Sequence, residues 1–253
     1  TASEFSRAHG GKQLTYSLES AKGASLSATE LILGADGIWM KIRFANGQEH
    51  YLGSPLRGRF NASNLLGAAA IGSALGFEPA VIVEGLKGVR GAPGRFESVE
   101  AGQPFAVYVD YAHAPNPVEC ILENVRAITK GRVIIVLGCG GDRDRRKRPI
   151  MGEIMGRLAD YSIITTDNPR TEDPAKIAAA MEEGIRVSAK SGAYEVCLDR
   201  RTAIRRALEF AQPGDSVIVA GKGHETYQEV NKVRYPFDDR EVVREICQEI
   251  YGQ

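Results

Sequence analysis

The chain has 253 residues, 43% of them hydrophobic, enough for one large domain or two modest ones with full cores. Its 32 Lys and Arg balance 32 Asp and Glu, so no basic excess argues for a nucleic-acid partner and no acidic excess argues for disorder. Cys120, Cys139, Cys197 and Cys247 are too scattered for a zinc cluster or a disulfide framework, and no run approaches the ~20 apolar residues of a membrane span.

These features predict reduced thiols in a cytoplasmic protein without a membrane span. The opening Thr1-Ala2-Ser3-Glu4 has no signal-peptide layout. It also lacks an initiator Met, which predicts that the chain continues a longer polypeptide.

From residue 14 to 52 the pattern is strand and turn, with apolar runs at 14–18, 31–33, 38–44 and 50–52. Asp36-Gly37 and Asn46-Gly47 separate them as hairpin signals, so an antiparallel ribbon is predicted. After Gly58, Leu65, Leu66, Ala69, Ile71 and Leu75 recur at helical spacing up to Gly76, and Pro79 opens a second short helix. The Gly- and Pro-rich stretch 88–94 marks a domain boundary, giving domains 1–93 and 94–253.

Beyond it, strands are expected at 105–110, 133–137, 161–165, 194–198 and 216–220. Helices are expected near 116–129, 149–159, 175–189, 201–211 and 239–251. This alternation predicts an α/β, Rossmann-like open sheet, mostly parallel, with helices on both faces. Its strand-to-helix loops, 111–115, 138–148, 166–174 and 221–225, then share the carboxyl rim where such folds bind ligands.

Those loops hold most of the chemistry. Gly138-Cys139-Gly140-Gly141-Asp142-Arg143 starts like a dinucleotide fingerprint but has Arg143 where the third glycine belongs. Arg143, against the glycines, suits an anionic ligand, whereas Arg145 and Arg146 read as solvated. Gly221-Lys222-Gly223-His224-Glu225 has Gly223 where a phosphate-binding loop needs Ser or Thr, so it is not a P-loop; Glu225 can receive an ammonium.

Asp110 and His113 end a strand with no nucleophile elbow or H-E-x-x-H spacing, and read as ligand contacts rather than a hydrolytic dyad. A lone loop histidine is nevertheless more often structural. In Asp167-Asn168-Pro169-Arg170, Asn168 offers donor and acceptor and Arg170 a fork for carboxylate or phosphate; alternatively the loop is an ordinary turn capped by Thr171 or Asp173.

Taken in order, several motifs resemble the Mur ligases, and among them the diaminopimelate-adding members. They are Phe60-Asn61-Ala62-Ser63-Asn64-Leu65-Leu66, Gly94-Arg95-Phe96-Glu97, Val109-Asp110-Tyr111-Ala112-His113, Gly138-Cys139-Gly140-Gly141-Asp142-Arg143-Asp144, Lys147-Arg148-Pro149, Asp167-Asn168-Pro169-Arg170 and Gly221-Lys222-Gly223-His224-Glu225. The sequence departs from the family at Arg146, where a glycine is usual, and at Ala114 and Asn116, where Thr and Asp are common.

The resemblance implies the end of an ATP-binding central domain followed by a complete amino-acid-binding domain. It implies ATP and Mg2+ as cofactors, and meso-diaminopimelate and UDP-MurNAc-L-Ala-D-Glu as partners, joined through an acyl phosphate. Asn64 would lie against adenine, Arg95 near the phosphates, and Asp110 and His113 beside the nucleotide. Within the Asp167–Arg170 motif, Asn168 and Arg170 would hold the distal carboxylate, the Gly221 carbonyl and Glu225 the distal ammonium, and Arg143 the other carboxylate. No catalytic residue and no metal ligand is assigned, because the family's phosphate-binding loop, metal ligands and UDP-binding domain precede the matched region; alone, the chain is expected not to turn over. A non-catalytic amino-acid-binding module and a lysine-adding ligase are the alternatives.

Overall fold

The computed structural model describes residues 13–19, 23–190 and 192–252, so the Thr1–Glu4 opening lies outside it. The chain divides into two compact units between Arg90 and Gly91.

In the first unit, β1 (Tyr16–Ser17), β2 (Leu26–Gly34), β3 (Gly37–Arg43) and β4 (Glu49–Ser54) form one sheet in that order. The period of two sends Leu26, Ala28, Ile38, Met40, Ile42 and Leu52 to one face. There they meet Ala62, Leu65, Leu66 and Ala69 of α1 (Arg59–Ala74) and Ile82 and Val83 of α2 (Pro79–Lys87). Ile32, Trp39 and Tyr51 remain exposed.

The expected antiparallel ribbon needs one correction: β1 pairs with β2 in parallel, Tyr16 opposite Leu26. The eight residues from Leu18 to Ser25 are too many for the two-residue turn that most often reverses a strand.

The second unit is built on a six-stranded sheet in the order β5 (Glu97–Ser98), β6 (Ala106–Asp110), β10 (Ser216–Ala220), β7 (Val133–Leu137), β8 (Tyr161–Ile164), β9 (Tyr194–Val196). All neighbours are parallel except the edge strand β5. Every residue of β7 and β10 is buried, as an apolar run covered on both faces requires.

The connections from β6 to β7, β8 and β9 step one way across the sheet, through α3 (Pro115–Ile128), α4 (Lys147–Leu158) and α5 (Pro174–Ser188). Right-handed crossovers place these three helices on one face. The return to β10 through α6 (Arg200–Phe210) uses the other face. Ala203, Ile204, Ala207 and Leu208 of α6 and Val242, Val243, Ile246 and Cys247 of α7 (Asp239–Tyr251) accordingly share one core with Val107, Val109, Ile134, Val136, Val217 and Val219.

Two elements stand outside the sequence expectation. β5 is a two-residue strand, and β11 (Tyr227–Val230) pairs antiparallel with β12 (Val233–Pro236) around Asn231 and Lys232, both at positive φ. That is the backbone of a type I′ turn, reached without the glycine that advertises one.

Candidate functional site

The loops that leave β6, β7, β8 and β10 lie along one edge of the sheet, and each is fixed before any ligand is considered. The loop after β8 is held by the β11–β12 hairpin. Gln228 Nε2 donates to the Asp167 carbonyl at 2.8 Å, and Arg170 N donates to the Glu229 carbonyl at 3.1 Å. Asn231 N donates in turn to the Arg170 carbonyl at 2.7 Å, closing a bridge around Arg170, whose φ is 52°.

The two sequence readings of this loop are compatible. Asp173 does cap α5, its carboxylate accepting from Ala175 N at 2.9 Å, while the residues before it face the rim. Asn168 is buried, and its Nδ2 donates to Glu225 Oε2 at 2.8 Å. Its Oδ1 accepts from Glu229 N at 2.9 Å and from Lys222 Nζ at 3.1 Å. Asp167 is turned inward; burial pushes its carboxyl above the usual carboxylate range, against the pull of Arg200 and Lys222.

Residues 138–146 close onto this loop. A Cβ on Gly141 would lie 1.9 Å from the Pro169 carbonyl oxygen, so only glycine permits the approach. Arg170 Nη1 donates to the Gly141 carbonyl at 2.7 Å. Asp142 and Glu172 complete a reciprocal clamp: Asp142 accepts from Thr171 N and Oγ1, and Glu172 accepts from Asp142 N at 2.6 Å.

Glu172 also receives the buried Arg148 guanidinium through two hydrogen bonds of 2.9 and 3.0 Å, which holds its carboxyl down to about 2. Arg145 and Arg146 are exposed, as expected. Cys139 is no nucleophile, since burial pushes its thiol up to about 12.

Arg143 is exposed and its guanidinium has no hydrogen bond or ion pair among the described residues. Its Cγ and Arg170 Nη1 lie 3.8 and 3.0 Å from the same point above Gly140. Two guanidinium stems thus flank one glycine, beside the Asn168–Glu225 pair.

The segment before β5 and the loop after β10 meet through a second close approach. A Cβ on Gly94 would lie 2.1 Å from the Gly223 carbonyl carbon, and one on Gly223 2.6 Å from the Gly94 carbonyl oxygen. This crossing brings Arg95 beside Tyr111, its guanidinium 5.0 Å from the ring centroid, with the rings of His113 and His224 at 4.6 and 4.9 Å from the same ring.

His113 is exposed, and its Nδ1 must carry the proton it gives to the Tyr111 carbonyl at 2.8 Å. Asp110, by contrast, points inward. Its two oxygens accept from Phe96 N and Ala112 N, each at 2.7 Å, and burial raises its pKa while these bonds and Arg95 oppose the rise. It buttresses the loop that carries Arg95. Gly221, at φ 108°, donates from its N–H to the Asp110 carbonyl at 3.1 Å. Asn64 belongs to the first unit, exposed on α1, with Nδ2 3.3 Å from Asn61 Oδ1.

Sequence reasoning missed three groups here. Lys222 is wholly buried and joins Asn168 to Glu225, whose Oε2 it meets at 3.1 Å. Arg200 and Asp239 form a fully buried pair at 2.7 Å, and Arg200 also donates to the Ala220 carbonyl at 2.9 Å, tying α6 and α7 to the end of β10. Gln228 and Glu229 arrive on the unforeseen hairpin. The available signal for Lys222 and Arg200 was a cation immediately after a buried strand or a helix cap, a position that demands an acidic partner.

Fold and site together define an open α/β domain whose carboxyl rim sets Arg143 and Arg170 beside a buried amide and its carboxylate partner. Residues 94–223 match the family Mur ligase, glutamate ligase domain. UDP-N-acetylmuramoyl-L-alanyl-D-glutamate–2,6-diaminopimelate ligases of Oceanobacillus iheyensis and Geobacillus thermodenitrificans are 43% and 52% identical over 231 and 194 residues. These alignments cover 91% and 77% of this chain but 46% and 39% of those proteins.

A solved structure of a ligase of the same name has a TM-score of 0.72 at 38% identity, covering 95% of this chain and 48% of that one. UDP-N-acetylmuramate-alanine ligase from Thermotoga maritima shares the fold, with a TM-score of 0.64 at 14% identity over 94% of this chain and 47% of its own. The chain belongs to the Mur ligase family. It spans about half the length of the curated relatives it matches.

Proposed function

We propose that this chain is the amino-acid-binding part of an ATP-dependent amide ligase that adds meso-diaminopimelate to UDP-MurNAc-L-Ala-D-Glu in the cytoplasm. The observation that carries the reading is the Arg170 guanidinium and the Arg143 side-chain stem flanking Gly140 beside the Asn168–Glu225 pair. Diaminopimelate exceeds lysine by one carboxylate on the distal carbon. Arg170 with the remaining Nδ2 hydrogen of Asn168 meets that carboxylate, Glu225 and the Gly221 carbonyl meet the distal ammonium, and Arg143 takes the other carboxylate. Lysine would leave Arg170 with only the Gly141 carbonyl and the more distant Glu229 carboxylate, forgoing the charge-assisted bond that the ligand carboxylate makes.

Of the residues assigned to ATP in this unit, Arg95 fits an anion: its guanidinium is exposed, stacked on Tyr111, and makes no hydrogen bond among the described residues. Bound ATP would activate the accepting carboxyl as an acyl phosphate. This chain's residues hold and orient the attacking amino acid, whose amine is positioned by anchoring both of its carboxylates. No group of three His, Cys, Asp or Glu side chains among the described residues could hold a metal ion. No helix among them is long and apolar enough to cross a membrane.

The test is a chimera. Residues 58–253, joined to the preceding half of the Geobacillus thermodenitrificans relative, should release ADP with meso-diaminopimelate and the UDP-linked dipeptide. A chimera that uses L-lysine equally well would overturn the specificity.

A further inference from the structure

We propose that Lys222 is a positioning residue that reinforces the polarity of the Asn168 amide and balances the charge of Glu225, and so supports the preference for a carboxylate over an ammonium at that point. The inference rests on the diaminopimelate-binding reading above and adds a residue which that reading does not use.

The Lys222 ammonium is completely buried and therefore touches no ligand. Its donors reach Asn168 Oδ1 and Glu225 Oε2, both at 3.1 Å, and its Nζ lies 5.5 Å from the centroid of the Tyr227 ring. Asn168 Nδ2 closes the triangle on the same Glu225 oxygen at 2.8 Å. An amide can turn over to exchange its oxygen and nitrogen, and here the Lys222 ammonium adds to Glu229 N on Oδ1 and to Glu225 on Nδ2 in holding it one way. With Lys222 and Glu229 N both donating to Oδ1, the nitrogen must point the other way.

One Nδ2 hydrogen goes to Glu225, and the second remains for a ligand. Glu225 Oε2 already accepts twice, so Oε1 is the oxygen left for a ligand ammonium. The rim thus presents one donor and one acceptor side by side, complementary to the carboxylate and ammonium of an α-amino acid. Lys222 also offsets the charge of Glu225, with Asp167 buried nearby and Glu229 3.9 Å from Arg170. Without that ammonium the site gains negative charge beside the carboxylate's place, and the amide is held by Glu229 N and Glu225 alone.

The experiment is calorimetry of the complete chain and of Lys222→Met with meso-diaminopimelate and with L-lysine. The variant should bind meso-diaminopimelate roughly tenfold more weakly or worse, as loss of a charged hydrogen bond implies, while lysine affinity changes less than about threefold. A merely structural role would weaken both ligands equally, and that result overturns the proposal. If the unaltered chain does not prefer meso-diaminopimelate, the functional reading fails instead.

Should Lys222→Met not fold, the unaltered chain decides by 15N NMR at pH 7. The Lys222 ammonium should give a slowly exchanging signal close to the Asn168 side-chain amide; an ammonium averaged with the solvent-exposed lysines overturns the proposal.

Discussion

Arg170 sits in the left-handed region at φ 52°, held there by backbone hydrogen bonds to Glu229 and Asn231, on either side of Val230 in one arm of the hairpin. Such a conformation persists only where the surroundings enforce it, and here it aims a guanidinium over Gly140. Arg170→Met should therefore weaken meso-diaminopimelate binding by about ten- to a hundredfold while changing lysine binding little, as read by calorimetry. Equal losses for both ligands would show that the residue shapes the loop without reading the carboxylate.

At this scale the sequence was partly legible. Arg143, Asn168, Arg170 and Glu225 stood out as polar residues in Gly- and Pro-rich loops after β-branched strands. Asp110 looked the same but turns inward to two backbone amides, and Lys222 acts through partners 3 and 54 positions away. Neither fact follows from neighbours along the chain.

The elements that bear the site are joined by buried charge. Glu172 links the loops after β7 and β8, and its carboxyl lies near 2 instead of the ordinary 4.5. A depressed carboxylate pKa stabilises the fold fully above the ordinary value, and the contribution disappears as pH falls toward the folded value. The melting-temperature difference between the native chain and Glu172→Gln should be constant from pH 7 to 5, shrink below 4.5 and vanish near 2. A difference independent of pH would contradict the clamp.

Arg200 and Asp239, both fully buried, tie α6 and α7 to β10. Asp239→Ala should lower the unfolding free energy by about 3–5 kcal/mol in urea titration, because it strands a buried guanidinium; a loss below about 1 kcal/mol would contradict this. Apart from the two-residue β5, the sheet strands and the helices of the second unit were readable to within about two residues from apolar runs and caps. The β11–β12 hairpin was not, because Asn231-Lys232 reaches positive φ without glycine.

Across the whole molecule, the second unit's sheet is sealed on both faces, whereas the first unit's sheet leaves Ile32, Trp39 and Tyr51 exposed on one. Amides of β7 and β10 should therefore be the slowest to exchange with deuterium, and those of β2 to β4 faster. Equal protection would contradict that order.

Under the proposed function, this rim reads the carboxylate that separates diaminopimelate from lysine. Calorimetry of the 253-residue chain with each amino acid tests it most directly. Tighter binding of meso-diaminopimelate, abolished by Arg170→Met, is the predicted result; equal affinity for the two, or tighter lysine binding, would contradict it.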